Sequence, residues 1–310
     1  MLWLPLLAAL AVVSCAKMGQ PDGGWYDETP PVIVRTTPQD KGVNVKQKKI
    51  SIYFDEYIKV DNPTEKVVIS PPQIEQAEIA ASGKKIVVEL KDTLKPNTTY
   101  TVDFSDAITD NNENNPLGNY TYTFSTGDHI DTMEVAGYVL DAQNLEPIKG
   151  ILVGLYSNLS DTIFTKEPML RVSRTDSRGK FVIKGVAHGD YRIYALQDAD
   201  NNYIFNQKSE QIAFTHDIIT PSSMPDIRQD TIWRDSLRID SIVRVGYTHF
   251  LPDDIVLRAF TEVQTNRYLV KTERTEPDHF TMFFSYGDSL LPQIRGLNFN
   301  EQDAFIIEPT

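Results

Sequence analysis

Apolar residues recur at every second position in stretch after stretch of this chain, and a two-residue rhythm fits half-buried β-strands rather than helices. Ile50, Ile52 and Phe54 alternate with Ser51, Tyr53 and Asp55. Tyr100, Val102 and Phe104 alternate with Thr99, Thr101 and Asp103; Tyr120, Tyr122 and Phe124 alternate with Thr121, Thr123 and Ser125. Shorter strands are expected at Val32–Val34, Val67–Ile69 and Ile86–Leu90. Turn residues separate them at Pro38 to Gly42, Asn62-Pro63, Pro71-Pro72, Ser82-Gly83 and Pro96-Asn97. With one cysteine in the whole chain no internal disulfide can form, so packing must hold the sheets together.

The rhythm returns after a short connection. Over residues 134–214, Ile151, Val153 and Leu155 share one phase, Phe181 and Ile183 follow Gly179, and Tyr191, Ile193 and Ala195 follow Gly189. Residues 215–246 lose the clean alternation, gain Pro221 and Pro225, and read as a linker. From Tyr247 strands are expected again at Ile255–Thr261, Tyr268–Thr272 and Phe280–Ser285. Residues 247–310 are few for a sandwich of their own and are expected to form a partial, incomplete β domain. The expectation is therefore an all-β chain of tandem β-sandwiches with a partial C-terminal β domain.

About seven strands in roughly 100 residues suit an immunoglobulin-like sandwich over residues 30–127. This segment also resembles the bacterial Ig-like domain of S-layer-type and envelope proteins. The resemblance rests on Pro31-Val32, Pro38, Gly42-Val43, the run Ile50 to Glu56, the run Leu94 to Val102, Ile108-Thr109-Asp110 and the closing Tyr122 to Thr126. It implies an accessory or adhesive module with no catalytic residues to carry over. The second segment, 134–214, resembles the transthyretin-like, carboxypeptidase regulatory-like domain. The matching groups are Gly137-Tyr138-Val139 with Asp141, Pro147-Ile148 with Gly150 and Val153, Thr175-Asp176 with Gly179 and Phe181, and Gly189-Asp190-Tyr191 with Ile193. That resemblance implies a stabilising or binding unit that does not itself hydrolyse peptides.

Leu2 to Val13 is an almost continuous apolar run ending in Val12-Val13-Ser14-Cys15. It is too short to cross a bilayer as a helix but suits the apolar core of a signal peptide over residues 1–14. A small residue followed by cysteine resembles a lipobox, in which the Cys15 thiol takes a diacylglyceryl group and becomes the new N-terminus. No Lys or Arg precedes the run, so the basic segment of a signal peptide is expected upstream of Met1. Residues 15–29, with Gly19, Pro21, Gly23 and Gly24, read as a tether, similar to the lead-in of surface lipoproteins carrying Ig-like domains. Lys17 stands where inner-membrane retention would place Asp, so the resemblance favours a lipid anchor in the outer membrane, facing either the periplasm or the outside. Lys and Arg number 30 against 43 Asp and Glu, a net charge of -13, which argues against nucleic acid as a partner.

Candidate chemistry is sparse. His129, His188, His216, His249 and His279 are scattered and form no metallopeptidase spacing, and no nucleophile or oxyanion motif accompanies the carboxylates. The expectation is a non-enzyme without cofactors. It would present its modules to a glycan or protein partner; the alternatives are an oligosaccharide-binding part of a nutrient-uptake assembly and an accessory part of a longer hydrolase. Two loops carry many oxygens. Asp106 to Asn115 offers either a calcium site or a solvated loop closed by side-chain turns. Asp198, Asp200 and Asn202 stand at the first, third and fifth positions of a calcium loop, yet Tyr203 occupies the glycine position and Glu210 falls one place late. A hairpin turn explains that run more simply. Finally, Asp230-Thr231-Ile232, Asp235-Ser236-Leu237 and Asp240-Ser241-Ile242 resemble acceptors of a general O-glycosylation system, making Thr231, Ser236 and Ser241 candidates; polar spacing in a connector is the plain alternative.

Overall fold

The structure, a computed structural model, describes residues 27–234, 238–263, 267–277, 279–287, 293 and 295. They fall into two compact units: the first runs to Met133 and includes Lys184–Ala187, and the second takes Glu134–Ile183 and the described chain from His188 on. The first comprises β1 (Ile33–Thr37), β2 (Lys49–Phe54), β3 (Ile58–Val60), a single helical turn α1 (Pro63–Lys66), β4 (Val68–Ser70), β5 (Glu78–Ser82), β6 (Lys85–Glu89), β7 (Thr99–Ser105), β8 (Ile108–Asp110) and β9 (Tyr120–Ser125). A four-stranded sheet in the order β1-β2-β6-β5 and a three-stranded sheet β4-β7-β9 supply the layers, with β3 and β8 forming a small pair.

The alternation sets the core. Ile50, Ile52 and Phe54 of β2, Ile86 and Val88 of β6, Tyr100, Val102 and Phe104 of β7, and Tyr122 and Phe124 of β9 are all buried in one cluster. Tyr100 and Phe124 stack at 5.1 Å. Each buried tyrosine hydroxyl needs a partner. The Tyr100 hydroxyl accepts the Lys95 N–H at 2.8 Å, and the Tyr122 hydroxyl donates to the Pro38 carbonyl at 3.0 Å.

The second unit contains β10 (Met133–Asp141), β11 (Leu152–Tyr156), a 3-10 turn at Ile163–Thr165, β12 (Arg171–Arg174), β13 (Lys180–Val186), β14 (Arg192–Leu196), β15 (Gln211–Phe214), β16 (Ser222–Trp233), β17 (Ile239–Leu251), β18 (Ile255–Thr261), β19 (Leu269–Glu276) and β20 (His279–Phe284). Seven of them make one sheet in the order β12-β11-β14-β15-β18-β10-β13. Every residue of β11 is buried, so both of its faces are covered. The groups that carried the second resemblance have local structural roles. A Cβ on Gly137 would lie 2.1 Å from the Ile255 carbonyl oxygen, so only glycine lets β10 run beside β18. Gly179, at a φ of 71°, closes a turn in which Asp176 accepts the N–H groups of Arg178 and Lys180.

Two expectations about the C-terminal part are corrected. The boundary at 214 does not hold: β18 pairs in parallel with β10, Gly137 to Asp141 against Ile255 to Ala259, and antiparallel with β15. Its Ile255, Leu257 and Ala259 are buried, so the strand completes the second unit's sheet instead of opening a partial domain at 247. Residues 215–246, read as a linker, hold strand structure of their own. Most of them belong to a long antiparallel hairpin, β16 against β17, from the pair Ser222–Leu251 to the pair Trp233–Ile239. Charges at Asp226, Arg228, Asp230 and Arg244 mask its alternation, because most of this ribbon is exposed and no buried face filters its sequence.

Candidate functional site

Among the described residues, a cluster of titratable oxygens lies in the loop 197–210 that joins β14 to β15. The chain leaves β14 and turns through Asn201 and Tyr203, both left-handed at φ 59° and 61°. Asparagine tolerates that conformation. Tyr203 adopts it at the position where a calcium loop would place glycine. The loop is pinned at Phe205, whose N–H donates to the Phe164 carbonyl at 2.9 Å and whose ring lies 5.7 Å from that of Phe164.

Three carboxylates converge there: oxygens of Asp198, Asp200 and Glu210 all lie within 4.8 Å of one another. Asp198 accepts the N–H groups of Asn202 and Tyr203 at 3.3 and 2.8 Å. Asp200 accepts from the side-chain amides of Asn202 and Asn206, both at 2.9 Å. Glu210, 2 % exposed, accepts the N–H groups of Ala199, Asn206 and Gln207. Glu210 is the residue that sequence spacing discounted, and the structure brings it in. Asn202 does not contribute its carbonyl oxygen, which accepts the Ile204 N–H at 2.7 Å. Desolvation, working against the two backbone donors, pushes the Asp198 carboxyl above the ordinary aspartate value. The Asn206 amide holds Asp200 below it. A knot of hard oxygens such as this suits a cation of the calcium class.

The other oxygen-rich loop is built differently. Asp110, 1 % exposed, accepts four backbone N–H groups, from Asn112, Glu113, Asn114 and Asn115, at 2.7–2.9 Å. Burial would raise its pKa, but the four donors outweigh burial and hold the carboxyl below its ordinary value. Both of its oxygens accept backbone N–H groups, as in a loop closed by side-chain turns.

At the root of the long hairpin, His249 bridges two carboxylates, with Nε2 2.9 Å from Asp253 and Nδ1 3.4 Å from Asp226. The Tyr247 hydroxyl donates to Asp226 at 3.0 Å. Asp253 first, and Asp226 behind it, hold the imidazole above its ordinary pKa. Tied to a carboxylate of β16 and to one in the turn after β17, the ring clamps β16, β17 and that turn together. Cys15 and Ser236 lie outside the described residues. Thr231 is exposed on β16 and Ser241 half-buried on β17, where their partners across the ladder are Ile242 and Ile232. The exposed rings Phe214 and Phe260 meet at 65°, and so offer no flat platform to a sugar.

Comparisons with known proteins follow this division. No curated protein matches the chain. Among solved structures, it is similar to the methionine-rich copper resistance protein PcoC from Escherichia coli, with 19% identity, 31% of this chain and 98% of that one covered, and a TM-score of 0.23. It is similar to the N-terminal part of the bacterial S-layer protein SbsC, with 15% identity, 57% and 42% covered, and a TM-score of 0.23. An L,D-transpeptidase from Mycobacterium smegmatis follows at 11% identity, 47% and 77% covered, and a TM-score of 0.22. At these scores none of their properties transfers. The family comparison is local and specific: residues 27–126, the first unit, match the model of the bacterial Ig-like domain.

Proposed function

We propose that this chain is a non-catalytic lipoprotein of the bacterial cell envelope, in which an Ig-like module and a second, transthyretin-like β module serve structural or adhesive contacts. The observation that carries this reading is the match of residues 27–126 to the bacterial Ig-like domain. Two further observations support it. The Val12-Val13-Ser14-Cys15 segment has the order that lipidation requires. The chemistry-bearing groups described above are engaged in holding loops: Asp110 by its own backbone, Glu210 by three N–H groups, and His249 by two carboxylates. In this reading acyl chains on Cys15 hold the protein in the outer membrane, residues 15–29 set the reach, and the exposed loops meet a glycan or a protein.

Fractionation of native cells tests the proposal. The chain is expected in the outer-membrane fraction, and Cys15→Ala is expected to release it or leave it with its first fourteen residues attached. A wild-type chain found soluble, or a Cys15→Ala chain that stays in the outer membrane, contradicts the lipid anchor.

A further inference from the structure

The hairpin β16–β17 is a two-stranded ribbon, and such a ribbon is marginal in water unless something adds strands or covers a face. One face carries Ile227, Ile242, Trp233 and Ile239, each more than half exposed. The two edges differ. On β16, Pro225 removes an N–H from the edge, and the charges are engaged within the ribbon: Arg228 with Asp230 at 2.9 Å, and Asp226 with Tyr247 and His249. On β17, among the described residues, Asp240 and Arg244 have no hydrogen-bond or ion-pair partner for their side chains, and the outer edge pairs with no strand.

We propose that the open edge of β17 docks the β17 of a second copy of this chain, antiparallel across a two-fold axis at Ile242. Charge complementarity selects this occupant. Residues 222–251 carry Asp226, Asp230, Asp235 and Asp240 against Arg228, Arg234, Arg238 and Arg244, so the ribbon is neutral in a chain of net charge -13. Two copies can meet here without the repulsion that the rest of the chain brings. The axis at Ile242 sets Asp240 of each copy opposite Arg244 of the other, so the ion pair forms twice, and Ser241 faces Val243. An axis at Asp240 or Arg244 would oppose like charges, and one at Val245 would set Asp240 against Phe250. A self-complementary strand is what an isologous two-fold contact requires. The product is a four-stranded sheet with the two Ile242 side chains adjacent at its centre.

Sedimentation of the full 310-residue chain in mild detergent, across a concentration series, tests the contact. A monomer–dimer equilibrium is expected. Arg244→Asp is expected to weaken it at least about tenfold, because two attractions become two repulsions. The exchange Asp240→Arg with Arg244→Asp is expected to restore it. Ile242→Cys, oxidised, is expected to give a covalent dimer above the background that Cys15 alone produces. This last reading stands even if a charge variant loses its fold, which circular dichroism would report. A chain that is monomeric at every concentration, a dimer indifferent to Arg244→Asp in a folded variant, or an Ile242→Cys chain that does not cross-link would each overturn the proposal. Capture of an unrelated extended peptide by a monomeric β17 would overturn it too, by naming a different occupant.

Discussion

The loops after β8 and after β14 are both rich in oxygens, yet they solve opposite problems. After β8 one buried carboxylate, Asp110, meets four backbone N–H groups, so the negative charge is matched by donors that the same loop supplies. After β14 three carboxylates meet one another, each with N–H partners of its own, so every acid there also faces the negative charge of two others. The difference shows why oxygen count alone is a poor guide to cation sites. What matters is whether the backbone or other carboxylates surround each acid.

The most damaging way to probe this contrast is to remove the turn that needs no cation. Asp110→Ala takes the shared acceptor away from four backbone N–H groups of a partly exposed loop. It is expected to lower the melting point of the first unit by roughly 10 °C or more and leave the second unit where it was. Equal loss in both units would break the comparison. In the second unit a change of comparable size comes from the sheet itself. Gly137→Val drives a side chain into the Ile255 carbonyl, and a loss of about 1–3 kcal/mol or more is expected in chemical denaturation of the second unit alone. An unaffected second unit would mean that β18 is not part of its sheet.

Smaller effects appear with pH, and the two loops should respond differently. The Asp110 carboxyl lies below its ordinary 3.8, so its stabilisation is complete above 3.8 and is lost as pH falls through the lowered value. Asp198 is raised, so its protonated form is favoured by folding; that contribution is complete below 3.8 and is lost as pH rises through the raised value. Asp200, held below its ordinary value, works the other way in the same loop, so between mild and strong acid the melting curve of the first unit should fall more steeply than that of the second. The smallest effect is expected at the hairpin root. His249 is raised above 6.5, so its clamp is complete below 6.5 and is lost as pH climbs through the raised value. Amide exchange in β16 and β17, corrected for the intrinsic pH dependence, should then quicken relative to β2, and His249→Gln should remove the difference.

Legibility from sequence followed burial. The strands β2, β7 and β9 could be read because one face of each packs on the core, so Ile50, Ile52, Phe104 and Phe124 fall in phase. Strand β5 escaped notice because it is an edge whose residues are nearly all exposed, and β3 and β8 are only three residues long. The place of β18 could not be read at all. Its parallel partner β10 lies more than a hundred residues earlier, and alternation says which face is buried without naming the neighbour. In the candidate site, Asp198 and Asp200 were legible from their spacing. Glu210 was not, because the left-handed backbone at Asn201 and Tyr203 shortens the path that a fixed spacing assumes. A glutamate placed directly before an apolar strand, as in Glu210-Gln211-Ile212, was the signal available.

Calorimetry of the full chain with and without calcium tests the central contrast most directly. Two transitions are expected, of which only that of the second unit rises with calcium. The rise would approach about 2–3 kcal/mol at roughly a hundred times Kd, would fade in acid as Asp198 takes up its proton, and would vanish in Glu210→Gln. A second-unit transition that ignores calcium, or a first-unit transition that follows it, would contradict the account.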